Sequence, residues 1–341
     1  MVDEGGDELT LWRSMTNINV SSMPLRWRIT AAFAAIYLIW GSTYLAIRFA
    51  IETIPPFLMG GMRFLIAGSI LYGVLRCRGV RSPSRQQWRA ALIVGGLLLF
   101  AGNGGVIVAE QFVPSSLAAL IIATVPLWMV LLNWKWGDRS RPSTGTAIGL
   151  GLGLLGIGLI VAPGAQADGG AISPLGLIIL VVASLSWSIG SLYSRRAQLP
   201  ANALLSTSME MLMGGVLMLI VGLLLGQGAQ IRLDHISFLS LISLAYLVVF
   251  GSLIGFTAYV WLLKVSTPAR VSTYAFVNPV VAVFLGMIFA DETLSLRVLI
   301  AAAIIILAVI LITFNQASTR SRQVAIPNKR DAAPSQLAEG A

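Results

Sequence analysis

The chain contains two copies of one pattern, at residues 31–162 and 174–314, and each copy has five apolar stretches. Trp40–Arg48 (WGSTYLAIR) in the first copy matches Trp187–Arg195 (WSIGSLYSR) in the second. About 18 apolar residues are enough for a helix to cross the hydrocarbon core. Because each copy crosses the membrane an odd number of times, the copies must have opposite orientations. The sequence therefore predicts an all-α integral membrane protein with ten transmembrane helices in two inverted five-helix repeats.

Composition supports this assignment, since 57% of the residues are hydrophobic and only 11% are charged. Such a balance excludes a soluble globular domain. We expect residues 1–30 to form an N-terminal tail, residues 163–173 an outer linker between the repeats, and residues 315–341 a C-terminal tail. The ten predicted spans are 31–51, 56–76, 89–109, 115–136, 143–162, 174–194, 203–225, 237–261, 269–289 and 296–314.

Basic residues are distributed unevenly between the predicted loops. The net charge of +9 alone would be compatible with nucleic-acid binding. If both termini are cytoplasmic, however, all but four of the 23 Lys and Arg residues lie in inner loops or tails. The exceptions are Arg48, Arg63, Arg232 and Arg297. This asymmetry follows the positive-inside rule, so it predicts cytoplasmic termini and no nucleic-acid partner.

Inverted repeats are typical of secondary transporters, in which they surround a central site that can open to either side. The sequence offers no cluster of His, Cys or acidic residues with metal-ligand spacing, no P-loop and no nucleophile with a base. We therefore predict a transporter of a small-molecule substrate, in contact with membrane lipid. We expect no enzymatic activity, no metal and no cofactor.

Charged side chains inside a span usually face the bundle interior or an aqueous cavity. Arg63 and Glu210 occupy equivalent positions in the two repeats and carry opposite charges. Arg63 could attract a carboxylate, and Glu210 could attract an amine or carry a proton. Alternatively, both residues only hold the helices together, and the sequence does not decide whether they form an ion pair.

Aromatic and amide side chains form a second group of candidate substrate-binding residues. The aromatic members would provide stacking surfaces and the amides would provide hydrogen bonds, although tryptophans also commonly pack in cores or face lipid. The candidates are Trp40, Asn103, Trp187, Tyr259, Tyr274 and Asn278.

Two prolines lie inside equivalent predicted helices. Pro126 and Pro279 each remove a helical hydrogen bond and should bend their helices, so both are candidate gating hinges. The predicted fifth helix contains the overlapping GxxxG spacings Gly145/Gly149 and Gly149/Gly153, which favour close helix packing. This packing could be internal or between subunits, and we expect a monomer or a weak homodimer.

Three runs carry a family resemblance: Ile39–Gly68 (IWGSTYLAIRFAIETIPPFLMGGMRFLIAG), Val113–Leu127 (VPSSLAALIIATVPL) and Ser266–Glu292 (STPARVSTYAFVNPVVAVFLGMIFADE). They resemble the EamA family of the drug/metabolite transporter superfamily. The resemblance implies ten helices, cytoplasmic termini, and a cavity lined mainly by helices one, three, four, six, eight and nine. Asp291-Glu292 is similar to the acidic end of the family's ninth helix, whereas Gly137-Asp138 in the first repeat departs from that pattern.

We therefore predict a bacterial inner-membrane exporter of small amphipathic metabolites, with amino acids, aromatic ones included, as the leading class. An exporter of cationic drugs or other toxic compounds is the alternative within transport. A membrane enzyme and an assembly protein are the alternatives outside it. Proton coupling through Glu210 and uncoupled uniport both remain open.

Overall fold

The structure is a computed structural model, and it describes residues 24–136, 143–161, 166–167, 170–171, 173–266, 268–271 and 273–324. Most of the two predicted tails and the predicted acidic end of the first repeat at Asp138 lie outside the described residues.

Ten apolar helices, which we number α1 to α10, account for most of the described chain. They are α1 Leu25–Ala50, α2 Pro56–Cys77, α3 (Arg85–Gly95, a π-helical segment Gly96–Asn103, and Gly104–Ala109), α4 (Ser115–Ile122 and Val125–Trp136), α5 Thr144–Val161, α6 Pro174–Ser194, α7 Ala203–Leu224, α8 (Phe238–Tyr246, a π-helical segment Leu247–Ile254, and Gly255–Val265), α9 Tyr274–Phe289 and α10 Leu296–Val324.

The remaining elements are short and lie in the connections. Two-residue strands β1, Gln166–Ala167, and β2, Gly170–Ala171, pair antiparallel between α5 and α6. A one-turn helix, Gln227–Gln230, and a 3-10 turn, Leu233–His235, link α7 to α8, and another one-turn helix, Pro268–Val271, precedes α9.

Local sequence explains several helix starts. Ser84 and Gln87 form a capping box at the start of α3, and the Asn202 side chain accepts hydrogen bonds from the first turn of α7. Proline occupies the first position of α2, Pro56, and of α6, Pro174, where its missing N–H is not needed.

Two helices extend by six or more residues beyond their predicted spans. α1 begins at Leu25, directly after Pro24, rather than at residue 31. Its extra turn is held by Arg28, whose guanidinium carbon lies 5.4 Å from the centroid of the Trp261 ring. α10 continues to Val324, ten residues into the predicted C-terminal tail.

Within the described residues, eight of the helices are long and apolar enough to cross a membrane, and α5 and α9 are shorter apolar helices. The prediction of an all-α membrane protein is therefore confirmed.

Glycines allow the two closest helix pairs to form. α2 packs on α7, where a Cβ at Gly61 would lie 2.5 Å from Leu219 and one at Gly215 would lie 3.1 Å from the Gly61 carbonyl oxygen. α5 packs on α10, where a Cβ at Gly149 would lie 3.0 Å from the Ala308 carbonyl oxygen. The glycine face of α5 is thus used inside the chain, because backbones approach closely only where side chains are small.

One interruption of the regular helices occurs in both halves of the chain. α3 and α8 each contain an eight-residue π-helical segment near their middle. π-helical turns are rare and are frequent at functional sites.

The two predicted hinge prolines have different surroundings. α4 is interrupted at Ala123 and Thr124, just before Pro126, and Trp128 Nε1 donates a hydrogen bond to the Thr124 hydroxyl at 3.1 Å. α9 continues through Pro279 without a break.

Candidate functional site

Three of the predicted site residues form one aromatic group. The Trp40 ring on α1 lies 5.2 Å from the Tyr259 ring on α8 and 5.1 Å from the Tyr274 ring on α9, between centroids. The two tyrosine rings are 5.9 Å apart, nearly perpendicular. Such edge-to-face contacts favour a fixed arrangement of the rings. We call Trp40, Tyr259 and Tyr274 the aromatic group.

The π-helical segment of α8 fixes one end of this group. Trp40 Nε1 donates a hydrogen bond to the Gly251 carbonyl oxygen at 3.2 Å. Gly255 lies against the same indole, and a Cβ there would be 2.5 Å from Trp40 Nε1. Only a residue without a side chain therefore allows the Trp40 ring to occupy this position.

Arg63 binds the neighbouring residue of the same π-helical segment. Its side chain is 3% exposed, and its Nε donates a hydrogen bond to the Ser252 hydroxyl at 3.0 Å. The guanidinium carbon lies 4.8 Å from the centroid of the Phe64 ring, a favourable cation–π distance. Arg63 Nη1 is buried and has no hydrogen-bond partner. Buried donors are normally satisfied, so this nitrogen is available to a ligand.

Asn278 on α9 is a second polar residue with an unused atom. Its side chain is 7% exposed, and Oδ1 has no hydrogen-bond partner. α9 approaches α1 closely here, since a Cβ at Gly41 would lie 3.2 Å from the Asn278 carbonyl oxygen. Gly41 directly follows Trp40, so Asn278 belongs to the same region as the aromatic group.

Trp187 and Asn103 lie apart from the aromatic group. Trp187, on α6, packs against the π-helical segment of α3, where a Cβ at Gly102 would lie 3.0 Å from its ring. Asn103 is the last residue of that segment. Ser188, next to Trp187, donates a hydrogen bond to the Val125 carbonyl oxygen at 3.2 Å, which links α6 to α4 beside Pro126. These residues form a second, separate candidate region.

Glu210 on α7 also lies beside α3 rather than beside Arg63. Its Oε1 accepts a hydrogen bond from the Ser206 hydroxyl at 2.9 Å, within the same helix. A Cβ at Gly95 would lie 2.5 Å from the Glu210 carbonyl oxygen. In the described part of the chain, no ion pair joins Glu210 to Arg63. A direct ion pair between these two residues therefore does not hold α2 to α7 in this conformation.

Known proteins resemble this chain over most of its length. The model of the EamA-like transporter family matches twice, at residues 27–162 and 174–314. The chain belongs to the EamA-like transporter family. It is 38% identical over 303 residues to the uncharacterized inner membrane transporter YedA of Escherichia coli K12, covering 88% of this chain and 95% of that protein. The predicted family is thus confirmed.

More distant relatives extend the comparison. The uncharacterized transporter YvbV of Bacillus subtilis is 24% identical over 302 residues, covering 89% of this chain and 97% of that protein. A crystal structure at 21% identity covers 87% of this chain and 99% of that one, with a TM-score of 0.58. The last similarity shows the fold alone. This EamA-like transporter is a multi-pass inner-membrane protein by its similarity to YedA and its apolar helices.

Two buried acidic residues of this EamA-like transporter lie at helix ends and are not among the predicted site residues. Glu110 directly follows the last residue of α3, is 1% exposed, and has no hydrogen-bond partner on either carboxylate oxygen. Burial raises the pKa of Glu110 well above its usual value, and the nearby Glu292 raises it further. An acidic residue directly after an apolar span was the available signal, but its burial cannot be read from the span.

Glu292 is the second such residue, and it differs from Glu110 in being fully bonded. Its carboxylate accepts hydrogen bonds from the backbone amides and hydroxyls of Ser115 and Ser116, at the first residues of α4. Helix N-termini favour negative charge, so this position is structural. The described residues contain no group of three or more His, Cys, Asp or Glu side chains that could hold a metal ion.

Proposed function

We propose that this EamA-like transporter exports small amphipathic metabolites across the bacterial inner membrane, with amino acids, aromatic ones included, as the leading class. One observation carries the proposal. Trp40 and Arg63 bind consecutive residues, Gly251 and Ser252, of the π-helical segment of α8. An aromatic surface and a buried guanidinium with an unused nitrogen are therefore held side by side by one backbone segment.

This pairing matches a molecule that has both an apolar ring and a carboxylate. The aromatic group would stack on the ring, and Arg63 Nη1 would donate a hydrogen bond to the carboxylate. Asn278 Oδ1 would accept a hydrogen bond from an ammonium group. Trp187, Asn103 and Glu210 would contact the substrate at a different point of its path, along the π-helical segment of α3.

The proposal includes ten transmembrane helices in two inverted repeats, with both termini cytoplasmic. Three observations support it: the family model matches twice, the corresponding helices α2 and α7 pack on each other, as do α5 and α10, and the π-helical segments occur in corresponding helices. In such an arrangement, a central site opens to either side by movement of one repeat against the other. Pro126 and Pro279 are the proposed hinges, and the break in α4 at Pro126 supports the first of them.

The test uses the purified full chain in proteoliposomes and three related compounds: phenylalanine, phenethylamine, which lacks the carboxylate, and 3-phenylpropionate, which lacks the amine. We expect saturable flux of phenylalanine, inhibition by 3-phenylpropionate, and weak inhibition by phenethylamine. Arg63→Gln should lose at least tenfold in phenylalanine flux, because one charge-assisted hydrogen bond contributes about 1.5–3 kcal/mol. Lys264→Gln, at an exposed position on α8, is the matched control for loss of a basic residue.

Export of cationic drugs is the second candidate, and two acidic residues favour it: Glu110, which is buried, and Glu210, which is partly buried on α7. It predicts the reverse pattern: inhibition by phenethylamine, little inhibition by 3-phenylpropionate, and dependence on Glu210 rather than on Arg63. Flux of none of the three compounds in wild-type vesicles would contradict the leading proposal.

A further inference from the structure

Glu110 is the one fully buried carboxylate in the described residues that has no hydrogen-bond partner at either oxygen. It lies one residue beyond the end of α3 at Ala109. An ionised carboxylate without partners is very costly to bury, so such a group takes up a proton or binds a cation. Its position therefore calls for a ligand that the protein itself does not supply.

The ionisable groups that interact electrostatically with Glu110 carry both signs of charge. They are Tyr44 and Arg48 of α1, Arg63 of α2, and Glu292 in the segment after α9. Ser115–Ile122 of α4 adds no ionisable side chain. No ion pair within 4 Å joins Glu110 to either arginine in the described residues. The two arginines favour the ionised carboxylate, whereas burial and Glu292 favour the protonated one, and burial is the largest effect on the pKa of Glu110.

Arg63 provides a positively charged group that complements the carboxyl group of Glu110. Its Nη1 is also buried and also has no partner. α2, which carries Arg63, packs on the last segment of α3, which Glu110 directly follows. A guanidinium and a carboxyl group on packed helices that do not pair with each other can bind the two ends of a zwitterion, because each end finds an opposite charge. The carboxyl group alone can bind a proton instead.

We propose that Glu110 is the exchange site of this transporter, where a proton and the ammonium group of the substrate compete for the same carboxylate. This inference rests on the proposed transport function. The conformation described here favours the protonated form of Glu110, because the carboxyl group is buried and neither oxygen has a hydrogen-bond partner. When the site opens to the cytoplasm, the proton passes to water, and the carboxylate binds the incoming ammonium group while Arg63 binds the carboxylate of the substrate. On the outer side a proton from water displaces the ammonium group, and the substrate leaves.

The first test does not require a substrate. Infrared difference spectra of the reconstituted full-length protein are recorded while the pH is raised stepwise. We expect a C=O band of a protonated carboxyl group, at the high-frequency end for a group without hydrogen bonds, that disappears as the pH rises. Glu110→Gln should lack this band, Glu110→Asp should shift it, and Glu210→Gln should retain it. An unchanged titrating band in Glu110→Gln would overturn the proposal.

The second test separates coupling from transport itself. Wild-type vesicles should export labelled phenylalanine several-fold faster when a proton gradient drives protons in the direction opposite to phenylalanine. Glu110→Gln should lose this acceleration. Glu52→Gln, an exposed acidic residue near the end of α1, should keep it. Equal acceleration in Glu110→Gln and wild type would refute the exchange site. Absence of all flux in the wild type would refute the proposed function, and the infrared titration would still decide whether Glu110 carries the proton.

Discussion

Glu292 Oε1 accepts two hydrogen bonds from Ser115, one from the backbone amide and one from the hydroxyl, both at 2.8 Å. The two residues are 177 positions apart in the sequence, so this contact joins the second half of the chain to the start of a helix in the first. A side chain from a distant segment thus takes the place of a local N-cap, which α4 lacks because Pro114 precedes it.

Glu292→Gln should lower the stability of the folded chain by about 2 kcal/mol, because a charged acceptor of several buried hydrogen bonds becomes neutral. Thermal unfolding in detergent, followed by circular dichroism, measures the change. Gly286→Ala should have a similar effect, since a Cβ there would lie 2.5 Å from Glu292 Oε2. Glu52→Gln, which is exposed, is the control, and an equal loss in that variant would contradict the assignment.

Gly255→Ala should displace the Trp40 indole and disturb the aromatic group. Overpacking of this kind costs about 1–3 kcal/mol, and here it acts at the proposed binding surface. We expect a KM for phenylalanine at least fivefold higher in proteoliposomes. Gly158→Ala is the matched control, because no atom lies within 4 Å of a Cβ at that position. An unaltered KM in Gly255→Ala would place the aromatic group outside the binding site.

Gly95→Ala should separate α3 from α7. Its Cβ would lie 2.5 Å from the Glu210 carbonyl oxygen, and a backbone atom cannot rotate away as a side chain can. A loss of about 1–3 kcal/mol in unfolding free energy is expected. Gly73→Ala, on α2 with open space around it, should be neutral or slightly stabilising. Equal stabilities of the two variants would show that the contact between α3 and α7 accommodates the added methyl group without loss of stability.

Labelling of the single cysteine tests the proposed orientation. Cys77 is exposed at the end of α2, which the proposed topology places on the cytoplasmic side. A membrane-impermeant maleimide should therefore label inverted vesicles and leave intact cells unlabelled. The variant Asp234→Cys, made in a Cys77→Ser background, should react in intact cells. Labelling of Cys77 in intact cells would reverse the proposed topology.

The helices could be predicted from the sequence because apolar runs of sufficient length have few alternatives in a membrane. The family was predicted from the resemblance of three motif-bearing runs, not from hydrophobicity. Helix ends were less predictable. Hydrophobicity alone does not mark where a helix begins or ends. α1 therefore begins earlier than predicted, at Leu25, and α10 ends later, at Val324. The π-helical segments were not predicted, since Gly96–Asn103 and Leu247–Ile254 are as apolar as their neighbours.

The site was predictable in its residue types and less so in its grouping. Trp40, Tyr259 and Tyr274 lie together, whereas Trp187 packs on α3. The spacing of residues along one helix does not show which side chains of other helices each of them contacts. Glu110 directly follows an apolar span, and nothing in the sequence around it indicates that it is buried. Its burial depends on how other helices pack around the end of α3, and this is a property of tertiary packing alone.

The π-helical segments also affect how the long helices can move. A π turn contains one residue more than the α-helical hydrogen-bonding pattern accommodates. If that surplus passes from one end of the segment to the other, the residues between turn by about 100° around the helix axis, since an α-helix has 3.6 residues per turn. The π-helical segments of α3 and α8 therefore allow part of each helix to rotate while its ends stay in place. In α8 the rotating part includes Gly251 and Ser252, which bind Trp40 and Arg63.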